Sequence, residues 1–336
     1  MKTTLQNNIS AYEKIFSFEN LFSAWQEFRH GKKNKRDVAF FASKLIHNLS
    51  TLENELLSGI YKHGGYAHFK IADPKPRDIH KASVRDRVVH HALYRALYPY
   101  FDNKFIHDSY SCRISKGTHR AIYRFEDFTR KIGKNNRKTA WVLKGDIRKC
   151  FASVDHAVLK KILRKHIICP RTMSVIESII DSFKEFSGDK GVPLGNLTSQ
   201  LFINIYLNEL DQFVKRRLQA KVYIRYADDF VILSQDKAWL SGLIPKIEKF
   251  LAQELRLALH PQKVSIETVA SGVDFLGWIH FPKHRVLRTV TKRRIFKKIK
   301  ENSKIEVIQS YLGLLSHGNA YKLRQKIKGD FWPKFW

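Results

Sequence analysis

The chain predicts an α+β fold, and three observations carry that reading. Apolar residues at helical spacing fill the first hundred positions, β-rich runs mark the middle, and an Asp-Asp pair sits between two such runs, where a tight hairpin turn belongs.

Taken in order, residues 15–28 and 37–59 read as helices, the second on Val38, Phe41, Leu45, Leu49, Leu52 and Leu56. Gly31-Lys32-Lys33-Asn34-Lys35-Arg36 is a charged link between them. Residues 64–77 place Tyr66, Phe69 and Ile71 ahead of Pro74 and Pro76 and read as a hairpin or extended arm. A further helix is expected over 84–101. Strand signals follow at 139–147 and 222–233, with helices expected between them at 155–167, 173–183 and 197–217. From Thr289 onward, Lys and Arg runs precede helical spacing at 305–315 and 321–327, the pattern of a small basic helical subdomain. No internal repeat, low-complexity tract or long Gly/Ser linker interrupts the chain, so its parts are expected to pack into one unit.

Sixty-one Lys and Arg against thirty-one Asp and Glu give a net charge of +30 over 336 residues. Such an excess, spread along the chain, is the footprint of a protein that tracks a phosphate backbone. Cys112, Cys150 and Cys169 show no paired spacing, which predicts neither a disulfide framework nor a zinc site and points to a reducing compartment. His90 and His91 are adjacent rather than one helical turn apart, and the remaining histidines lack ligand spacing. No apolar run is long enough to cross a bilayer and no signal-type segment opens the chain, so a cytoplasmic location with no membrane partner is expected. Walker-type and dinucleotide-type glycine motifs are absent, which counts against ATP-driven motors and oxidoreductases.

The chemistry is concentrated at Tyr226-Ala227-Asp228-Asp229. Alone, this tetrapeptide is compatible with an ordinary solubilising turn. Far upstream, the strand-like run Trp141-Val142-Leu143-Lys144-Gly145-Asp146-Ile147 ends in a further carboxylate. Phosphoryl transfer to a 3′-hydroxyl uses two Mg2+ ions about 4 Å apart, and carboxylates are the ligands Mg2+ prefers. Two strand ends side by side, carrying Asp146, Asp228 and Asp229, would make such a site.

Asp146-x-x-x-x-Phe151, Gly195-x-x-x-Ser199-Gln200, Tyr226-Ala227-Asp228-Asp229, Lys263 and Phe275-Leu276-Gly277-Trp278 resemble, in order and rough spacing, the palm motifs of reverse transcriptases. Arg85-Asp86-Arg87-Val88-Val89 and Tyr110-Ser111-Cys112-Arg113-Ile114-Ser115-Lys116-Gly117 are similar to the fingers motifs of the prokaryotic members. The resemblance runs from about residue 64 to the end. It implies an RNA-directed DNA polymerase with the right-hand architecture of fingers, palm and small helical thumb, the palm an antiparallel sheet backed by helices. The implied division is an N-terminal extension and fingers over 1–138, with the helix at 84–101 leading into the palm. The palm follows over 139–284, with fingers-side helices within 155–190, and a basic helical thumb occupies 285–336.

Most group II intron and retron enzymes carry Gln-Gly-x-x-x-Ser-Pro where this chain has Leu194-Gly195-Asn196-Leu197-Thr198-Ser199-Gln200. That variant resembles the reverse transcriptases of diversity-generating retroelements, as do Ser310-Tyr311-Leu312-Gly313, His317 and residues 323–327. The chain also ends early, which leaves no expected room for maturase and endonuclease segments. The resemblance implies mutagenic retrohoming: a template-repeat RNA copied into adenine-mutagenised cDNA, with dNTPs, an RNA/DNA duplex and a small basic accessory variability protein as partners. The alternatives are a retron, phage-defence or free-standing group II intron-like reverse transcriptase, and, in another class, a non-catalytic RNA-binding module.

The same resemblance implies the site residues. Asp146, Asp228 and the backbone near Ile147 would hold two Mg2+ ions, with Mn2+ able to substitute, and Asp229 would support them. Lys263 would protonate the leaving pyrophosphate. Phe151 would exclude a ribonucleotide 2′-hydroxyl, a place in the plain core being its alternative. Arg77, with Lys70 or Lys75, would take the triphosphate, although a solvated or template-contacting role for Arg77 stays open. Leu194, Gly195 and Gln200 would border the nucleotide. Leu194 stands where most relatives have Gln, and an aliphatic chain cannot make that residue's hydrogen bonds. Arg113, Lys116 and Tyr226, together with Lys292, Arg293, Arg294 and Lys297, would contact nucleic acid.

Overall fold

The computed structural model describes residues 9–72, 76–184, 188–302 and 304–331, and the side chains from residue 12 onward. Lys75 and Pro74 lie outside the described residues. Two compact units emerge, each assembled from separated stretches of chain.

The first unit comprises Met1–His107, Ile147–Arg217 and Ile247–Leu259. Its centre is the helix Leu197–Gln212, on which Leu201, Phe202, Ile203, Ile205, Tyr206, Leu207 and Leu210 are all buried. A helix buried around most of its circumference, Asn204 and Asp211 included, is an interior helix. It packs against the helix Val84–Asp102, on which Val88, Val89, Ala92, Leu93 and Leu97 are buried. A π-type turn, Phe213–Arg217, ends it within the helical range that the sequence predicts.

One expected helix starts later and another is broken. The first, expected over 15–28, runs over Phe18–Arg29, because Ser17 adopts an extended backbone and its Oγ accepts from the Asn20 amide, capping the helix there, and a separate helix, Ile9–Ile15, precedes it. The second divides into Arg36–Ser43 and Leu45–Leu57 at Lys44, which leaves helical geometry at φ −126°. The expected arm at 64–77 is a true hairpin, β1 (Tyr66–Ile71) and β2 (Arg77–Ala82), in antiparallel register from Tyr66↔Ala82 to Ile71↔Arg77.

Arg85-Asp86-Arg87 gains a structural explanation here. Asp86 is buried and accepts from Tyr61 Oη at 3.0 Å, Ser83 Oγ at 2.7 Å, the Gly64 amide at 3.2 Å and Arg85 Nη1 at 3.0 Å. Ser83 in return accepts from the Asp86 amide at 3.1 Å, closing the N-terminus of the helix Val84–Asp102. The carboxylate thus ties that helix to the entrance of β1 with its charge fully hydrogen-bonded.

The second unit comprises Asp108–Asp146, Leu218–Lys246 and His260–Trp336. Its main sheet holds β3 (Trp141–Asp146), β4 (Tyr223–Tyr226), β5 (Asp229–Ser234) and β6 (Ser265–Thr268) in the order β4-β5-β3-β6, every pair antiparallel. Ala121, Phe125 and Phe128 of the helix Thr118–Ile132 share one core cluster with Val142, Ile224, Val231 and Leu233 of the sheet.

Phe275-Leu276-Gly277-Trp278 is the tip of a second, three-stranded sheet of β7 (Val273–Phe275), β8 (Trp278–His280) and β9 (Arg285–Leu287). Leu276 at φ +50° and Gly277 at φ +90° give a two-residue turn with both centres left-handed, matching the twist of the flanking strands. The turn aims Trp278 into the core of the basic tail, with Leu287, Ile295, Ile299, Ile308, Leu315 and Ile327. A Cβ on Gly318 would stand 2.1 Å from the Trp278 ring, so only glycine admits the indole there. The tail consists of helices Thr289–Glu301, Ile305–Leu315 and Tyr321–Phe331. Among the described residues, no helix is long and apolar enough to cross a membrane.

Candidate active site

The register of β3 and β5 puts Asp146 directly opposite Asp229, and β4 and β5 pair Tyr226 with Asp229. Three strand ends thereby deliver Asp146, Asp228 and Asp229 to one edge of one sheet. Gly145 makes the approach possible. It faces Phe230 across the register, and a Cβ there would lie 2.3 to 2.9 Å from the ring. The turn is strained at Ala227, whose φ of +53° costs an L-residue on the order of 1–2 kcal/mol.

Like charges directly opposed on a sheet repel, and the electrostatics show it. Burial first, then the charges of Asp228 and Asp146, push the Asp229 carboxyl up to about 6, with Lys144 partly opposing them. The proximity of the Asp146 carboxylate adds to that upward shift. Lys263 supplies positive charge from the other side, its Nζ 2.8 Å from Oδ2 of the buried Asp146. The backbone sets this contact up, since the His260 amide donates to the Asp146 carbonyl at 2.7 Å and the Lys263 amide to the His260 carbonyl at 3.0 Å.

This cluster fits a divalent cation by the chemistry of its donors. The oxygens are hard, the three carboxylates outnumber Lys144 and Lys263 beside them, and the cost of holding them together falls when a cation neutralises their charge. Among the described residues, no three His, Cys, Asp or Glu side chains converge into a ready cage. A cation would have to draw Asp228 in and compete with Lys263 for Asp146.

Other expected residues gather in the first unit. The Leu194 carbonyl accepts from the His80 amide of β2 at 3.0 Å. Asn196 clamps the same strand, donating to the His80 carbonyl at 2.7 Å and accepting from the Ala82 amide at 3.2 Å. Gly195, at φ +109°, leaves no room for a Cβ, which would meet Ile79 Cγ2 at 2.8 Å. The loop that carries Leu194 is therefore fastened to the hairpin that carries exposed Lys70 and Arg77. Phe151 is half-buried and its carbonyl accepts from the Val192 amide at 2.9 Å, which brings it to the same segment. Gln200 is exposed on the first turn of the helix Leu197–Gln212, and Ile147 is buried with its backbone bridged to Leu259.

The cations expected to meet nucleic acid differ in their surroundings. Arg113 donates to the Ser109 carbonyl at 3.0 Å and the Lys116 ammonium stands 5.1 Å over the Tyr110 ring. Tyr226 shares a hydrogen bond of 2.9 Å with Thr118. Lys292, Arg293 and Lys297, with Lys300, line a groove of about 640 Å³ floored by Phe296 and Leu323. Arg294 is half-buried on the same helix. Arg225, fully buried directly before the tetrapeptide, escaped the sequence reading, because one arginine in a chain this basic carries no signal that it points inward.

Residues 62–280 match the family described as reverse transcriptase (RNA-dependent DNA polymerase). Protein YkfC of Escherichia coli strain K12 is 28% identical over 287 residues, covering 73% of this chain and 73% of YkfC. The group II intron-encoded protein LtrA of Lactococcus lactis subsp. cremoris is 22% identical over 306 residues, 70% of this chain and 49% of LtrA, so the chain spans about half of that protein.

Proposed function

Since the chain belongs to the reverse transcriptase family and is an RNA-directed DNA polymerase, we propose that it copies a template-repeat RNA into adenine-mutagenised cDNA within a diversity-generating retroelement. The observation that carries the catalytic part is the pairing of Asp146 with Asp229 beside the Asp228 turn. The fingers, palm and thumb of the proposal correspond to residues 1–138, 139–284 and 285–336.

Asp146 and Asp228, with the backbone near Ile147, would hold Mg2+, and two such ions supply activation of a primer 3′-hydroxyl and stabilisation of the pyrophosphate that leaves. Asp229 would support the ions by adding negative charge beside them. Lys263, whose Nζ stands 2.8 Å from Asp146 Oδ2, would give a proton to a leaving phosphate oxygen. Lys70 and Arg77 offer cationic groups to the triphosphate, and the Phe151 ring blocks a 2′-hydroxyl. The accessory variability protein and the cytoplasmic location belong to this proposal as well.

The Leu194 loop supports the retroelement reading. Its backbone is fixed to β2 irrespective of the side chain, so Leu194→Gln changes what the nucleotide meets and leaves the fold intact. The variant is expected to lower misincorporation opposite template adenine severalfold, as restoring one polar contact worth about 1 kcal/mol would do. Sequencing of cDNA made from one RNA by both proteins checks it, and equal adenine error rates would remove Leu194 from the account.

The likeness to LtrA is equally compatible with a second reading, a free-standing group II intron-like enzyme, or a retron or phage-defence reverse transcriptase with the same chemistry. A neighbouring template and variable repeat pair in the genome separates it from the first. A non-catalytic RNA-binding module would bind RNA and leave dNTPs unincorporated.

A further inference from the structure

Arg225 lies in β4 with its whole side chain excluded from solvent. Its amide donates to the Asp108 carbonyl at 3.0 Å and its carbonyl accepts from the Tyr110 amide at 3.0 Å, so the segment 108–110 runs alongside β4. The guanidinium turns towards the hairpin tip. Nη1 donates to the Ala227 carbonyl at 3.1 Å, and Nη2 donates to Ser109 Oγ at 3.1 Å. The segment that takes the second arm is itself anchored, because buried Asp108 accepts from Arg124 Nε at 2.8 Å, from Arg124 Nη2 at 3.3 Å and from Tyr110 Oη at 3.1 Å.

A two-residue hairpin turn leaves its central peptide outside the strand ladder. Here that peptide joins Ala227, at φ +53°, to Asp228. A peptide group is planar, so whatever fixes the Ala227 carbonyl also fixes the Asp228 nitrogen and Cα, and the pairing of Asp229 with Tyr226 limits the remaining rotation that aims the Asp228 Cα–Cβ bond. The only rigid fork among the side chains, an arginine's, reaches two acceptors at once.

We infer that Arg225 is a positioning residue, whose bond to the Ala227 carbonyl braces the left-handed turn and sets the direction in which the Asp228 carboxylate is presented. The inference rests on the catalytic reading of Asp228. It also explains the burial of so costly a group, since a guanidinium is retained in the interior only where its hydrogen bonds are satisfied. A lysine at 225 offers one compact charge on a flexible stem and cannot hold Ser109 and Ala227 together.

The test compares the full chain with Arg225→Lys, Ser109→Ala and Asp228→Ala on an RNA template with a DNA primer. Single-turnover dNTP incorporation is measured, and Mn2+ binding to the complex with a chain-terminated primer is followed through the electron paramagnetic resonance signal of the free ion. For Arg225→Lys, turnover is expected to fall roughly ten- to a hundredfold while the dNTP KM moves by less than about threefold. Half-occupancy by Mn2+ should need several times more ion. Ser109→Ala, which releases one arm of the fork, should show the same division on a smaller scale. Wild-type turnover and Mn2+ binding in folded Arg225→Lys overturn the inference; if that variant does not fold, wild-type values in Ser109→Ala overturn it. Incorporation retained by Asp228→Ala would instead refute the catalytic reading, and the inference would fall with it. Loss in Asp228→Ala beside a fully active Arg225→Lys would remove Arg225 alone.

Discussion

Asp229 holds a proton well into the range where an ordinary aspartate has lost it, because burial and the facing carboxylates of Asp228 and Asp146 carry its carboxyl up to about 6. The sign of the consequence follows from linkage. Below about pH 4 the group is protonated in folded and unfolded chains alike. Between about pH 4 and pH 6 the unfolded chain ionises first, so stability is lost across that window, by at most roughly 2–3 kcal/mol. Above it the ionised carboxylate is a standing cost that a cation would relieve. Asp229→Asn is therefore expected to raise the thermal midpoint at pH 7.5 in the presence of a chelator and to reduce the further gain on adding Mg2+. Thermal unfolding of both proteins with and without Mg2+ checks this, and an equal gain in both would contradict it. The three aspartates were legible in the sequence because a strand end and a hairpin tip have distinctive patterns. The partners of Lys263 and Arg225 were not legible, since each contact depends on where a distant segment folds back.

At the scale of elements, the hinge of the site is the contact between β3 and β5. Gly145 lets the Phe230 ring lie against the strand that ends in Asp146. Gly145→Ala is expected to destabilise the fold by about 1–3 kcal/mol through overpacking and to lower incorporation by displacing Asp146 from Asp229. A denaturant titration and an incorporation assay on the same preparation test both effects, and full stability with full activity would show that the ring yields freely. Among the longer helices that the sequence reading missed are Thr118–Ile132 and Lys237–Leu255. Both carry helical spacing, the first on Ala121, Ile122, Phe125 and Phe128, the second on Leu240, Leu243, Ile247, Leu251 and Leu255. Frequent cations obscure the first, and Gly242 and Pro245 read as breakers in the second. β6 to β9 are three or four residues each, too short for alternation to register. The long helices at 84–101 and 197–217 were legible because their apolar positions sustain the period over many turns.

For the whole molecule, a net charge of +30 would make phosphate contacts the main source of the proposed affinity for nucleic acid. Binding to an RNA/DNA duplex is therefore expected to weaken steeply with salt. Replacing Lys292, Arg293 and Lys297 together by Ala should reduce the slope of log K against log salt by roughly 2–3. Fluorescence anisotropy over a salt series measures it, and an unchanged slope would place the duplex elsewhere. Family membership was legible in the motifs, whose order survives in the chain, while the biological subtype turns on Leu194 and its neighbours and on RNA partners that no single sequence displays.

Asp146, Asp228 and Asp229 are proposed to form the metal-dependent centre of RNA-templated DNA synthesis. Primer extension on a defined RNA template, with the wild-type chain and Asp228→Ala each in Mg2+ and in chelator, tests it most directly. The expected result is cDNA from the wild type in Mg2+ alone, with Asp228→Ala still binding the template but incorporating no dNTP. Extension by Asp228→Ala at the wild-type rate would contradict it.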